Sequence, residues 1–325
     1  MNRTFLAVRR RLLQAVPVVF GIVAIIFLLL NLSPGDLVDV MAAEEQISDP
    51  QVLEQIRAEY GLDKPIYVQL ANYVWNIVHL DLGYSFRHSQ PVWDVIVERL
   101  PATLILMSVS MALALFIGGL AGVVASIKVN TLYDNLISVV AIIFFAAPSF
   151  WIGLMMMVLF SVKLGLLPVS GMYTIGGDYS LAGEIWDVTR HLVMPSFALG
   201  LFYAAIYARV MRASMLEVSG LDFIRTARAK GLGEKRVAFK HILRNALLPV
   251  VTLFGLQLGT MLAGSVVIES VFSWPGIGTL VFEAVLTRNF PLVMGVLLFG
   301  SILVVIANLA VDLVYMRLDP RIELR

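Results

Sequence analysis

Six apolar stretches of about 20 residues or more, near 12–32, 102–127, 135–162, 192–212, 246–270 and 291–316, set the terms on which this chain can fold. Hydrocarbon about 30 Å thick is crossed by about 20 helical residues rising about 1.5 Å each. Lipid offers a backbone amide no partner, so each stretch must close its hydrogen bonds within itself, as an α-helix does. Apolar residues make up 59% of the sequence and charged residues 14%, more apolar surface than a soluble domain of this size can hide. The expected fold is all-α and polytopic, with six transmembrane helices and an extracytoplasmic segment after the first.

Orientation follows from Lys and Arg. Arg3, Arg9, Arg10, Arg11, Lys128, the nine basic residues from Arg209 to Arg244, and Arg317, Arg321 and Arg325 fall on one side, 17 of the 24 in the chain. The positive-inside rule puts that side, and both termini, in the cytoplasm. The first stretch follows arginines as a signal peptide would. Its apolar core exceeds the roughly 7–15 residues of one, and no small-residue cleavage site follows promptly, so it is read as a retained helix. Cysteine is absent, which excludes disulfides, a thiol nucleophile and Cys-ligated metal. The net charge of +1 averages a basic inner face and an acidic outer one, and no nucleic-acid partner is expected.

The organisation is then a cytoplasmic start and first helix (1–32), an extracytoplasmic segment (33–101), a membrane core (102–316) containing a cytoplasmic loop at 213–245, and a cytoplasmic tail (317–325). In the outer segment Ser48, Asp49 and Pro50 precede VLEQIRAEYG, and Gly61 closes it: cap, first-turn proline, helix, glycine stop. A second helix is expected from Pro65, with Ile66, Leu70, Tyr73, Val74 and Ile77 on one face and Tyr73 and Trp75 at headgroup level. Gly165, Pro168, Gly171, Gly176 and Gly177 mark turns after the third stretch, and SWPGIG (273–278) marks another.

The inner loop holds the most informative segment. Asp222 caps a short helix, Phe223, Ile224 and Arg225 form its first turn, and Gly231 and Gly233 end it. Phe223, Ile224 and Ala227 offer apolar contact, while Arg225, Arg228 and Lys230 offer charge. A basic helix resting on anionic lipid fits the same composition. Within the stretches, Thr252, Gln257, Thr260 and Glu269 are candidates to line a pathway, Glu269 facing an outer vestibule; Thr and Gln also bond neighbouring helices. Asp312 is expected at an interface or paired with an arginine. Gly118 with Gly122, and Gly255 with Gly259, permit close helix contact, within this chain or with a partner.

Catalytic chemistry has no foothold. GxxxxGK[ST], HExxH and GxSxG are all missing, and no Gly-Lys pair occurs anywhere. His79, His88, His191 and His241 lack metal-ligand spacing. No catalytic residue and no metal site are assigned. Buried acids for proton or sodium coupling are also scarce.

The segment RTARAKG, followed by a basic amphipathic run ending in LLP, resembles the cytoplasmic-loop motif of ABC importer permeases: Glu-Ala-Ala, three residues, Gly, and a closing Leu-Pro. Arg225, Thr226 and Ala227 stand at Glu-Ala-Ala, Gly231 at the glycine, and Leu248 and Pro249 at the close. Arginine in place of the leading acid and a longer glycine-to-proline interval are features of the peptide and nickel permease subfamily. NLSPGD, DLGYSF, ERLPATL, LLPVSG, RTARAKGL, NALLPVV, WPGIGTL and NLAVDLVY with DPR occur in order along the chain, and together resemble that subfamily's first permease subunit.

The resemblance implies a type I importer permease in a bacterial inner membrane, forming half of a pathway for di- or oligopeptides by alternating access. It implies a homologous second permease as heterodimer partner, two ATP-binding subunits that use ATP and Mg, and an extracytoplasmic solute-binding protein. This chain would bind no cofactor. Residues Asp222, Phe223, Ile224, Arg225, Thr226, Ala227, Arg228, Ala229, Lys230 and Gly231 would dock the ATPase, with Arg225, Ala227 and Gly231 central and Pro249 fixing the start of the fifth helix. Relatives also carry nickel complexes, glutathione or oligosaccharides by the same mechanism. An ion-driven secondary transporter is the competing class, with Pro148–Ser149 and Pro195 as candidate helix breaks.

Overall fold

The computed structural model describes residues 3–32, 38, 49–59, 61–85, 87–177 and 180–318. The expected Ser48 cap, most of the NLSPGD string, the tail from 319 and the side chain of Asp312 lie outside them. Helices dominate: α1 (Arg3–Asn31), α2 (Pro50–Glu59), α3 (Ile66–Val78), α4 (Val92–Ile127), α5 (Leu132–Ala146), α6 (Ser149–Lys163), α7 (Leu181–Ser219), α8 (Asp222–Ala229), α9 (Glu234–Phe272), α10 (Ile277–Leu286) and α11 (Phe290–Leu318). Among the described residues α4, α7, α9 and α11 are each long and apolar enough to cross a membrane, α5 with α6 form a fifth, bent candidate, and α1 carries the apolar stretch Leu13–Leu29. The protein is an all-α polytopic membrane protein.

The chain divides into two compact units, Met1–Pro101 with Gly276–Arg325, and Ala102–Pro275. The first of these units groups the described residues up to Pro101 with the C-terminal helices α10 and α11. In this unit the core is Val92, Val95, Ile96, Leu280, Leu292 and Val296, and Gly295 lets Val92 lie directly against the α11 backbone. Asp49 Oδ1 accepts the Gln51 amide at 2.9 Å, capping α2, while Leu62 N–H reaches back to Arg57 O at 2.8 Å past Gly61. Tyr73 faces inward, stacked on Phe27 with centroids 6.3 Å apart, so headgroup depth suits the exposed Trp75 alone of the two. A two-rung hairpin pairs Tyr84 with Pro91 and Ser85 with Gln90. Its Ser85 hydroxyl is buried, accepting from Asn289 Nδ2 at 2.8 Å and meeting His88 Nδ1 at 3.0 Å. Burial, with Arg99 nearby, holds the His88 imidazole below its usual pKa.

The second unit is built on α7, whose buried face runs from Leu192 through Leu199, Tyr203, Tyr207 and Met211 to Met215. Gly118 and Gly122 bring α4 onto α7: a Cβ at Gly118 would strike Ala204 O, and one at Gly122 would strike Ala208 O. This small-residue pair is used inside the chain. Where α9 ends, Ser273 takes a left-handed φ of 50° and Trp274 N–H closes on Glu269 O at 2.8 Å. The Trp274 side chain is fully buried and donates from Nε1 to Ala102 O at 2.8 Å. Next to it Thr103 Oγ1 donates to Glu269 at 2.8 Å. Asp134 and Arg212 tie α5 to α7 by a two-pronged ion pair at 2.6 and 2.7 Å.

Three expectations change. The third stretch is no straight span: α5 and α6 meet at 102°, because Pro148 has no amide to continue the helix and forces extended backbone on Ala147 (ψ 133°). Pro195 breaks nothing, since α7 runs through it. Pro249 does not start a helix but lies inside α9, which begins at Glu234 with π-helical turns at Val237–Ile242.

Packing of α4 on α7 gives a direct check. Gly122→Leu should destabilise the fold by about 1–3 kcal/mol through overpacking, whereas Gly119→Leu, whose Cβ meets nothing within 4 Å, should not. Thermal unfolding of the detergent-solubilised protein measures the difference.

Candidate functional site

The loop expected at 213–245 is almost all helix. Because α7 continues to Ser219 and α9 starts at Glu234, only Gly220–Leu221 and Lys230–Gly233 are left as joints around α8. A short helix held on short joints between two long ones has little freedom to tilt alone. Its sequence explains its attachment: Ile224 and Ala227, three apart on one face, are buried, and both join the core that contains Met215, Val218, Val237 and Ile242. Burying Ile224 contributes about 1.5–3 kcal/mol to keeping the helix down.

Its C-terminus is a Schellman motif. Gly231 has φ +79°, its N–H bonds Arg228 O at 2.9 Å, and Leu232 N–H reaches Ala227 O at 3.4 Å. Leu232 then packs on the same core as Ala227, the apolar contact that accompanies this motif. Arg228 grips Glu234 with two hydrogen bonds, 2.9 and 3.2 Å, so the start of α9 is fastened to the helix as well.

The outward face carries the rest. Asp222, Phe223, Arg225, Thr226, Arg228, Ala229 and Lys230 are exposed, with Phe223, at 44% exposure, the large apolar group among them. Arg225 lies 3.5 Å from Asp222, both in solvent, a contact worth little. Of the residues expected to be central to docking, Arg225 is on the open face and Gly231 shapes the helix end. Ala227 is turned to the chain's own core with Ile224. Leu232 and Glu234 were not anticipated; an apolar residue just past a stop glycine was the available signal for Leu232.

The polar residues of α9 separate too. Thr252, Leu256, Thr260, Ala263 and Val267 form one exposed face, while Val250, Met261, Ser265, Ile268 and Phe272 are buried. Thr252 and Thr260 lie on that open face, their hydroxyls bonded to Leu248 O and Gln257 O of their own helix. Gln257 and Thr260 line a cleft of about 690 Å³ at the α5–α6 break. Glu269 faces no vestibule: it is 0% exposed and bonded to Thr103, since a carboxylate inside an apolar unit needs donors around it. Among the described residues no three His, Asp or Glu side chains are placed to hold a metal.

Long apolar helices with an amphipathic helix clamped between two of them define a multi-pass membrane component. Two sequence profiles cover the chain: the N-terminal part of the binding-protein-dependent transport system membrane component at residues 3–107, and the binding-protein-dependent transport system inner membrane component at 114–324. The chain belongs to this family of ABC importer permeases. It is 42% identical to the di/tripeptide transport system permease protein DppB of Pseudomonas aeruginosa, over 97% of this chain and 98% of the relative. Similarity to the Escherichia coli K12 dipeptide transport system permease DppB is 41% over 97% of both, and to the Bacillus subtilis oligopeptide transport system permease AppB 40% over 97% and 98%. In fold it resembles a chain of the inward-facing MetNI methionine ABC transporter, with TM-score 0.52 and 20% identity, over 69% of this chain and 96% of that one.

The helix end is testable by chemistry at one position. Gly231→Val should fray the end of α8 at a cost of about 1–2 kcal/mol, because a branched residue resists the left-handed region, while Gly231→Asn should stay near wild type. Hydrogen–deuterium exchange over residues 222–234 reads both.

Proposed function

We propose that the chain carries di- or oligopeptides across the membrane as one half of an ATP-driven importer, paired with a homologous permease. Two ATP-binding subunits hydrolyse ATP with Mg, and an extracytoplasmic binding protein delivers solute. Both termini and α8 lie in the cytoplasm, on the basic side of the chain. This subunit binds no cofactor and performs no bond chemistry. The relatives named for di/tripeptide, dipeptide and oligopeptide transport match it almost end to end, which favours peptides over nickel complexes, glutathione or oligosaccharides.

One observation carries the mechanism: α8 is anchored by Ile224, Ala227 and Leu232 to the core of α7 and α9 while offering Phe223, Arg225, Thr226 and Lys230 outward. An ATPase that grips the outward face as it closes on nucleotide pushes on the anchor, and α7 and α9 must follow. On α9, Thr252, Thr260 and their apolar neighbours then form this subunit's wall of the pathway, with Gln257 beside them.

In the reconstituted complex, Phe223→Asp with Arg225→Glu should lower solute-stimulated ATP hydrolysis at least tenfold, since a lost interface anchor costs about 2 kcal/mol or more. Hydrolysis and uptake at wild-type rates would remove α8 from the coupling. The ion-driven alternative requires peptide uptake by the purified chain alone in ATP-free vesicles under an imposed gradient.

A further inference from the structure

The break between α5 and α6 is more than a kink. Non-helical backbone at membrane depth persists where it lines a cavity or is covered by protein, and here Ala147, Pro148 and Ser149 border the cleft of about 690 Å³ closed by α7 and α9. None of its lining residues is a carboxylate, a histidine, a lysine or an arginine. One wall is aromatic: Phe145 and Phe202 are stacked, centroids 5.6 Å apart at 11°, and Tyr203 meets Phe202 edge-on at 5.2 Å. Gln257, one of the lining residues, carries an Oε1 that is buried and has no hydrogen-bond partner.

Such an atom is costly until something donates to it. A lipid acyl chain fits the walls but has no donor, and a metal ion finds no carboxylate or imidazole. A short peptide has both parts, an apolar side chain for the aromatic wall and a backbone N–H for the amide oxygen. The volume lies within the roughly 300–1,000 Å³ of small-molecule sites.

We propose that this cleft is a transit subsite for short peptides, with an apolar side chain lodged against Phe145, Phe202 and Tyr203 and a backbone N–H donated to Gln257 Oε1. The subsite rests on the peptide-import reading above. It gives the permease a preference of its own, for bulk and hydrophobicity at one residue of the passing peptide, in addition to whatever the binding protein selects.

Gly264 supplies the test. A Cβ there would stand 3.6 Å from Leu199 Cδ1 and 3.7 Å from the Tyr203 hydroxyl, so a larger side chain grows into the cleft. The full complex, with one binding protein throughout, is reconstituted in vesicles and uptake of Phe-Ala and Gly-Gly is measured. Gly264→Leu should lower the Phe-Ala to Gly-Gly uptake ratio about tenfold relative to wild type, and Gln257→Leu should lower uptake of both dipeptides about tenfold. An unchanged ratio in the first variant, or unchanged uptake in the second, overturns the subsite. As a measurement free of folding defects, a dipeptide containing benzoyl-phenylalanine is photolysed in the wild-type complex during turnover. Crosslinks at 145–149 or 202–203 support the proposal, and crosslinks confined to other segments, or to lipid, overturn it. If the wild-type complex moves neither dipeptide under ATP, the peptide-import reading fails and the subsite with it.

Discussion

Hydrocarbon supplies no hydrogen bonds, so at membrane depth every departure from regular helix has to be settled by the protein itself, and the helix ends beyond it close on themselves as well. The places where helices stop show how. At Gly231 and Ser273 a left-handed residue turns the chain so that the following amides close on carbonyls of the last turn. Trp274 then plugs the end of α9 and gives its indole N–H to Ala102 O. At Ala147–Pro148, where Pro148 has no amide to bond, the backbone borders the cleft.

Several of the short strings that mark the sequence acquire a physical reason in this light. ERLPATL and WPGIGTL are far apart along the chain, yet Ala102 and Thr103 from the first meet Trp274, and Glu269 just before it, in one buried cluster. LLPVSG ends with Gly171 N–H on Phe272 O at 2.8 Å, and Arg190 holds Leu166 O at 3.0 Å. Each string meets the C-terminal end of α9.

Apolar length was enough to find the helices, because crossing a bilayer is a one-dimensional requirement. It was not enough to find their shapes. A proline reads the same at 148, 195 and 249, but only at 148 does the chain turn sharply; at 195 and 249 the surrounding helix absorbs the missing amide. Glu269 was misjudged for a related reason: nearness to a span end suggested solvent, whereas its donor Thr103 is distant in sequence and visible only in three dimensions. Although Asp222 belongs to its first turn and Leu221 holds the cap position with no side-chain hydrogen bond, the extent of α8 was legible, since apolar spacing and a stop glycine are local signals. Which side of it faced in was not, because Phe223, Ile224 and Ala227 look alike until the core that receives two of them is in place.

The eight residues of α8 thus divide their duties by side. Ile224 and Ala227 belong to the interior, and their replacement is limited by the packing of the whole unit. Phe223, Arg225 and Thr226 are exposed, and the hydroxyl of Thr226 and the guanidinium of Arg225 bond Asp222 of the same helix. The outward face of the helix can therefore be rewritten residue by residue without loosening the scaffold beneath it.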